Sequence, residues 1–137
     1  MILALVAALA AGPAGAGDCP VQFTDVAEQA GIRFAHDRGS TPERHLPEMV
    51  GAGMAWLDYD NDGWMDLYVV QGGPFPAAGS PKAGDRLYRN NGNGTFSDVT
   101  RKAGLVETAY GMGAVAADYD NDGFVDLYVT NYGGNVL

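Results

Sequence analysis

The sequence predicts an all-β protein in which units of short strands repeat around a common centre. Two repeated patterns lead to this prediction: segment 54–69 recurs as 114–129, sixty residues later, and segment 23–32 recurs as 96–105. Self-similarity at a fixed period of this size is typical of repeat architectures. The two offsets differ, sixty against 73 residues, so the first copy holds an insertion, which we place within residues 33–49.

Two pairs of predicted strands surround two acidic loops. Met54–Leu57 and Val115–Ala117 are short apolar runs that lead into the loops. Leu67–Val70 and Leu127–Thr130 lead out of them and are rich in β-branched and aromatic residues, which favour strands. Brief helical patterns are confined to two other segments, Val26–Ala30 and Thr100–Ala103.

A further hairpin is predicted between the two loops. Arg86–Arg89 and Thr95–Val99 are strand-like, and Asn90–Gly94 between them consists of Asn and Gly alone. Because both residue types tolerate positive φ, this segment predicts a tight hairpin turn. Gln71–Gly84, with three prolines and four glycines, predicts a surface loop.

The acidic residues of this 137-residue chain are concentrated. Its formal net charge is −9, and eight of its seventeen acidic side chains belong to the two loops. Acidity gathered in two places indicates cation sites, in contrast to the spread charge of a solvated acidic tail. An acidic chain without a basic stripe does not suit phosphate backbones, so we expect no nucleic-acid partner.

Each loop follows the pattern Asp-x-Asp-x-Asp-Gly-x-x-Asp. Alternating carboxylates turn successive oxygens toward one centre, and the glycine permits the sharp turn. Calcium takes 6 to 8 hard oxygens. Four aspartates, the backbone carbonyl of position 7 and a water would supply them. The predicted ligands of two Ca²⁺ ions are Asp58, Asp60, Asp62, Trp64 and Asp66, and Asp118, Asp120, Asp122, Phe124 and Asp126.

Other cations, and a turn without any cation, suit these loops less well. Magnesium demands stricter octahedral geometry, and zinc or copper would want His or Cys. A plain polar turn is the main alternative, because Asp, Asn and Gly all favour turns. Against it, carboxylates ~4 Å apart repel by roughly 4 kcal/mol per pair at an effective dielectric of 20. An EF-hand would need Glu at position 12, where this chain has Val69 and Val129, and helical rather than strand flanks.

The N-terminal segment predicts a secretory signal peptide at residues 1–16. Ile2–Ala11 is an apolar core, and Ala14–Ala16 gives the small-x-small cleavage pattern, although no Lys or Arg precedes the core. A buried apolar helix is the alternative. The segment is shorter than the ~20 apolar residues of a membrane span. We therefore expect no membrane span and a secreted, periplasmic or cell-surface location. Cys19 is the one cysteine, so no disulfide closes within this chain.

Together these motifs resemble the FG-GAP/VCBS repeats of integrin-α-type β-propellers, and more closely the secreted proteins related to cartilage acidic protein, the ASPIC/UnbV group. The resemblance rests on segments 23–26, 52–63, 87–92, 94–99 and 111–113, the last leading into the second loop. It implies a seven-bladed propeller with calcium between adjacent strands of a blade. This chain would be a fragment holding about two blades, a partial β-propeller, with the remaining blades in the same polypeptide.

The internal repeats divide the chain. Residues 17–50 would be a lead-in strand plus the insertion, 51–110 a first repeat and 111–137 a second, truncated repeat.

We expect an extracytoplasmic module for binding or adhesion to a protein or glycan ligand, with structural calcium and no catalytic role. The alternative is a metal-dependent hydrolase or phosphatase-like propeller enzyme, whose candidate bases are His36 and His45. No Gly-x-Ser-x-Gly or Cys/His pattern supports it. Five aromatic side chains are expected to form blade core rather than a ligand stack: Trp56, Trp64, Tyr68, Phe124 and Tyr128.

Overall fold

The computed structural model describes residues 21–73, 84–105 and 109–137. The predicted signal peptide, Cys19 and most of the loop between Gln71 and Gly84 lie outside these ranges. The elements are one helix and six strands within the described residues: α1 (Leu46–Val50), β1 (Met54–Leu57), β2 (Asp66–Val69), β3 (Arg86–Asn90), β4 (Phe96–Asp98), β5 (Gly111–Ala117) and β6 (Asp126–Asn131).

Six strands form two antiparallel sheets, so the all-β prediction is confirmed. The first sheet has the order β1-β2-β3-β4, and the second pairs β5 with β6. Within each sheet every strand pairs with the next along the chain, and a four-stranded antiparallel sheet is the unit of a β-propeller blade. The last residue pairs beside the acidic loops are Leu57 with Asp66 and Ala117 with Asp126.

The first sheet is covered on both faces. One face packs Leu57, Tyr68 and Leu87 in a cluster that includes Val129 of the second sheet. The other face packs Leu67 and Tyr88 with Phe96, and partly buried residues of segment 30–34 lie against it. All four residues of β2 are therefore buried, and this strand lacks the apolar-polar alternation of a sheet with one wet face.

Glycines permit the close approach of the two sheets. Gly53 N–H donates to the carbonyl of Met112 at 3.0 Å, and Gly111 N–H donates to the carbonyl of Gln71 at 3.0 Å. A Cβ on Gly111 would lie 2.2 Å from Cγ1 of Val70, so no other residue fits without displacing the core. These bonds place β1 beside β5.

The segment before β1 differs from its prediction. Residues 21–50 contain no strand in the structure, only turns and α1, so the expected lead-in strand is absent from the described part of residues 17–50. The carbonyl of Ala30 accepts a single bond from the Phe96 amide at 2.7 Å instead of a ladder. The helix begins within the insertion and ends at Val50, one residue beyond it, and the Glu48 carboxylate accepts the His45 amide at 3.2 Å. The two predicted helical segments form only turns.

The aromatic core prediction is correct for one residue of five. Tyr68 is 1% exposed, whereas Trp56, Trp64, Phe124 and Tyr128 are all exposed by more than a third. Trp56 alternates with buried Ala55 and Leu57 along β1, and Trp64 and Phe124 belong to the loops rather than to strands. Gln71, assigned to a surface loop, is buried.

In the described part of the chain, no helix has the length and apolarity needed to cross a bilayer.

Candidate metal centre

Both acidic loops are the connections of antiparallel hairpins. The first joins β1 to β2 and the second joins β5 to β6. In each, the aspartate at position 9 begins the outgoing strand and pairs with the residue just before position 1. The hairpin register therefore brings the first and last carboxylates of the pattern to the same end of the sheet. Strands flank both loops, as the sequence predicts.

The position 1 carboxylate organises each loop. In the first, Asp58 Oδ1 accepts the Asp62 amide at 3.0 Å and Oδ2 accepts the Gly63 amide at 2.9 Å. In the second, Asp118 makes the corresponding bonds to the amides of positions 5 and 6 at 3.1 and 3.0 Å. These bonds curl the chain back on its own start and bring position 1 beside positions 5 and 6.

Positions 5 and 9 extend the same hydrogen-bond pattern. Asp62 Oδ1 accepts the Trp64 amide at 2.9 Å, and Asp122 Oδ1 accepts the Phe124 amide at 2.8 Å. The position 9 carboxylate accepts the amide of position 2 at 2.9 Å in the first loop and 2.8 Å in the second. The two loops thus share four hydrogen bonds at matching positions.

Backbone dihedrals complete the match. Asn61 and Asn121 have φ of 54° and 61°, and Gly63 and Gly123 have φ of 86° and 89°. Asn and Gly are the residues that adopt this left-handed region most readily. The identical hexapeptide, Asp-Tyr-Asp-Asn-Asp-Gly, therefore folds in the same way in both repeats.

The carboxylates approach closely enough to share one cation. Oxygens of Asp58, Asp60 and Asp62 lie within 4.8 Å of one another in the first loop, as do those of Asp118, Asp120 and Asp126 in the second. An all-oxygen donor set suits a hard divalent cation. The structure thus brings together six of the eight predicted aspartates; Asp66 and Asp122 belong to the loops but not to these clusters. Ligation by the Trp64 and Phe124 carbonyls stays a prediction.

Asp66, at the end of the first loop, is fully buried. Its side chain is 0% exposed, and its Oδ1 accepts the amide of Asn90 in β3 at 2.7 Å in addition to the bond from Tyr59. Burial raises the pKa of Asp66, and the two amide hydrogen bonds oppose that rise. Asn90 also donates from Nδ2 to the carbonyl of Met65 at 3.1 Å. The neighbouring strand therefore holds the end of this loop from two sides.

Arg89 brings a positive charge to the first loop. Its Nε lies 2.6 Å from Asp60 Oδ2, and its Nη2 pairs with Asp62 Oδ2. The hydrogen bond to Asp60 raises the pKa of Arg89. Two carboxylates of the predicted calcium site are thus paired with a cationic side chain.

The roles of Arg89 and Asn90 were not predicted from the sequence. The strand-turn pattern around them predicts β3 but does not indicate which side of that strand faces the loop. Neither candidate base, His36 nor His45, belongs to a cluster of possible metal ligands in the described part of the chain.

Comparisons with known proteins agree with the repeat pattern. A family model described as "FG-GAP-like repeat" matches residues 58–129, about half of the chain and both loops. Mouse cartilage acidic protein 1 is 41% identical over 49 residues. That match covers 35% of this chain and 8% of the mouse protein, so the chain spans a small part of that relative. No solved structure gives a significant match.

Proposed function

The chain belongs to the FG-GAP-like repeat family, and on that premise we propose that it is an extracytoplasmic, calcium-binding repeat module of an integrin-like β-propeller. Its two calcium ions are structural, and the module binds or adheres to a protein or glycan ligand rather than catalysing a reaction. The similarity to cartilage acidic protein 1 supports an extracellular location.

The observation that carries the calcium proposal is the convergence of carboxylates in both loops. Three carboxylates within 4.8 Å repel one another; loop amides hold the position 1 carboxylate in both loops, and Arg89 also contacts Asp60 and Asp62 in the first. A divalent ion neutralises this repulsion and adds ligand bonds that the unfolded chain lacks. Calcium suits the site better than magnesium because it accepts irregular sets of 6 to 8 oxygens.

A structural role follows from where the ions would sit. Each loop closes a hairpin, so an ion there would hold two strands in register. It would not serve an exposed reactive group. Binding to the folded state alone adds about 2.7 kcal/mol of stability per site at a hundredfold excess over Kd. Extracellular calcium modules bind at about 10⁻⁴–10⁻³ M. We therefore expect the folded protein to be stable outside the cell and less stable in compartments that contain little calcium.

Thermal unfolding tests this proposal. We expect calcium to raise the melting temperature of the protein well above its value in chelator, with magnesium giving a smaller rise. The matched control replaces the position 1 carboxylate of both loops, Asp58→Asn with Asp118→Asn, and should abolish the rise. Equal melting curves with calcium and with chelator would show that the loops are plain polar turns.

A further inference from the structure

The two loops differ in one respect that local sequence does not encode. Arg89 of β3 spans two carboxylates of the first loop, with Nε on Asp60 and Nη2 on Asp62. Its side chain is 34% exposed and those of the two aspartates 29% and 25%, so solvent screens the pair only in part. The contact joins residues 27 and 29 positions apart in the sequence, across the hairpin of β2 and β3.

The second loop has no such neighbour within the described residues. Asp120 and Asp122 are exposed and form no ion pair there; their carboxylates accept backbone amides of their own loop. Among the described residues, the hexapeptide therefore has a cationic side chain as partner in the first repeat only.

We propose that Arg89 is an internal competitor of the divalent cation in the first loop, so that calcium binds this loop more weakly than it would without the arginine. This inference rests on the proposed function, because it assumes that both loops take calcium. The guanidinium occupies Oδ2 of both Asp60 and Asp62, and on this proposal the ion takes these same oxygens. The ion can reach full coordination in the first loop only when Arg89 releases them.

Side-chain chemistry explains why an arginine suits this role. Its planar guanidinium presents two N–H groups in a fixed fork that matches paired carboxylate oxygens, and its charge does not titrate in the physiological range. The charge of the competing group therefore stays constant over the physiological pH range. When only part of the population has Arg89 released, the apparent affinity of the ion falls by that fraction.

The size of the effect follows from the partial exposure of the pair. Exposed or half-exposed ion pairs are individually weak, and two contacts of one guanidinium correspond to about a three- to tenfold loss of affinity in the first loop. Calcium would then fill the first loop at a higher concentration than it would without the arginine. The first hairpin keeps part of its charge balance when calcium is scarce, because Arg89 occupies the carboxylates.

The chain offers a reporter for the first loop. Trp64 lies in that loop, its amide bonds Asp62, and its ring lies against Gly92 in the turn between β3 and β4. The second loop has Phe124 at the same position. In a Trp56→Phe background, tryptophan emission during a calcium titration follows the first loop. Calorimetry on the Asp118→Asn variant isolates the same loop independently, and calorimetry on Asp58→Asn isolates the second.

Three arginine variants test the inference, each measured with calcium alone as the probe. Arg89→Gln should tighten calcium binding in the first loop by about three- to tenfold and leave the second loop unchanged. Arg86→Gln is the matched control, since it removes the same charge from the same strand but pairs with Asp98, outside both loops. Arg89→Lys, which keeps the charge but not the fork, should lie between the parent and Arg89→Gln.

The outcomes separate the two proposals. If neither loop binds calcium in the folded parent protein, the proposed function fails, and this inference fails with it. If both loops bind but Arg89→Gln leaves the first loop unchanged or weaker, only the inference fails. An equal gain in calcium affinity in Arg86→Gln would mean that removing any nearby positive charge tightens binding. That result would also overturn the inference. Raising the salt concentration should narrow the difference in first-loop calcium affinity between the parent and Arg89→Gln.

Discussion

The two acidic loops have the same hexapeptide, the same hydrogen bonds and nearly the same dihedrals, yet they lie in different surroundings. In the first loop the closing aspartate is fully buried, and two residues of β3, Arg89 and Asn90, contact the loop. In the second loop Asp126 is half-buried and, within the described residues, accepts the Tyr119 amide alone. Local sequence sets the loop backbone, and the adjacent strand sets its charge balance and burial.

The difference originates in sheet order. β2 has β1 on one side and β3 on the other, whereas β6 has β5 on one side and only the bridge from Val129 to Val136 on the other among the described residues. Because β3 runs antiparallel beside β2, its end lies next to the start of β2, where Asp66 and the loop meet. A third strand therefore supports the first loop.

The largest effect on the free energy of unfolding is expected for substitutions at position 9 of the first loop. Asp66→Ala removes the acceptor of two amides, those of Tyr59 and Asn90, and leaves the second one buried without a partner. We expect a loss of about 2–3 kcal/mol in the free energy of unfolding, because each unsatisfied buried group costs about 1–3 kcal/mol and relief from burying a charge offsets part of it. Urea unfolding in chelator measures it without any contribution from calcium.

Asp126→Ala is the matched control for that experiment. It removes the same carboxylate from a half-buried position with one described amide contact, so we expect a loss of less than about 1 kcal/mol. Asp66→Asn should fall between the two, because its amide oxygen replaces one acceptor and its NH₂ faces the other amide. Equal losses for Asp66→Ala and Asp126→Ala would mean that β3 does not support the first loop.

The sequence predicted what depends on residues close together in the chain. The strands around each loop, the Asn-Gly hairpin of β3 and β4 and the convergence of the aspartates all follow from patterns shorter than a dozen residues. The contact of Arg89 with Asp60 depends on the pairing of Leu67 with Tyr88, which no local pattern encodes. The exposure of Trp56 and Trp64 likewise depends on what packs against the sheet.

Substitutions at position 7 of the loops, Trp64 and Phe124, are expected to have an intermediate effect on the free energy of unfolding. The Trp64 ring packs on Gly92, where it would lie 3.0 Å from an added Cβ, and is 37% exposed; Phe124 is 62% exposed. Trp64→Ala should cost about 1–2 kcal/mol, less than the 3–5 of a fully buried aromatic, and Phe124→Ala under about 1 kcal/mol. Chemical unfolding in chelator, followed by far-UV circular dichroism, measures both. A larger loss at Phe124 than at Trp64 would contradict the greater exposure of the second loop.

The smallest effect, on stability, is expected for Arg89→Gln, and it should depend on calcium. In chelator the variant exposes Asp60 and Asp62 to their mutual repulsion, so we expect its melting temperature to fall by about 1–3 °C relative to the parent. In saturating calcium the ion neutralises both carboxylates, and the guanidinium has no free carboxylate oxygens to stabilise. The difference between variant and parent should then shrink to zero or reverse.

Thermodynamic linkage requires the melting curves and the calcium affinities to agree. If Arg89 weakens calcium binding to the first loop, then calcium must weaken the contribution of Arg89 to folding by the same factor. The melting curves and the affinities of the parent and the variant therefore form one closed cycle. A loss of stability that is equal in chelator and in calcium would show that Arg89 and the ion act independently, even if both contact the same aspartates. Arg86→Gln, whose partner Asp98 lies outside the loops, should show that independence.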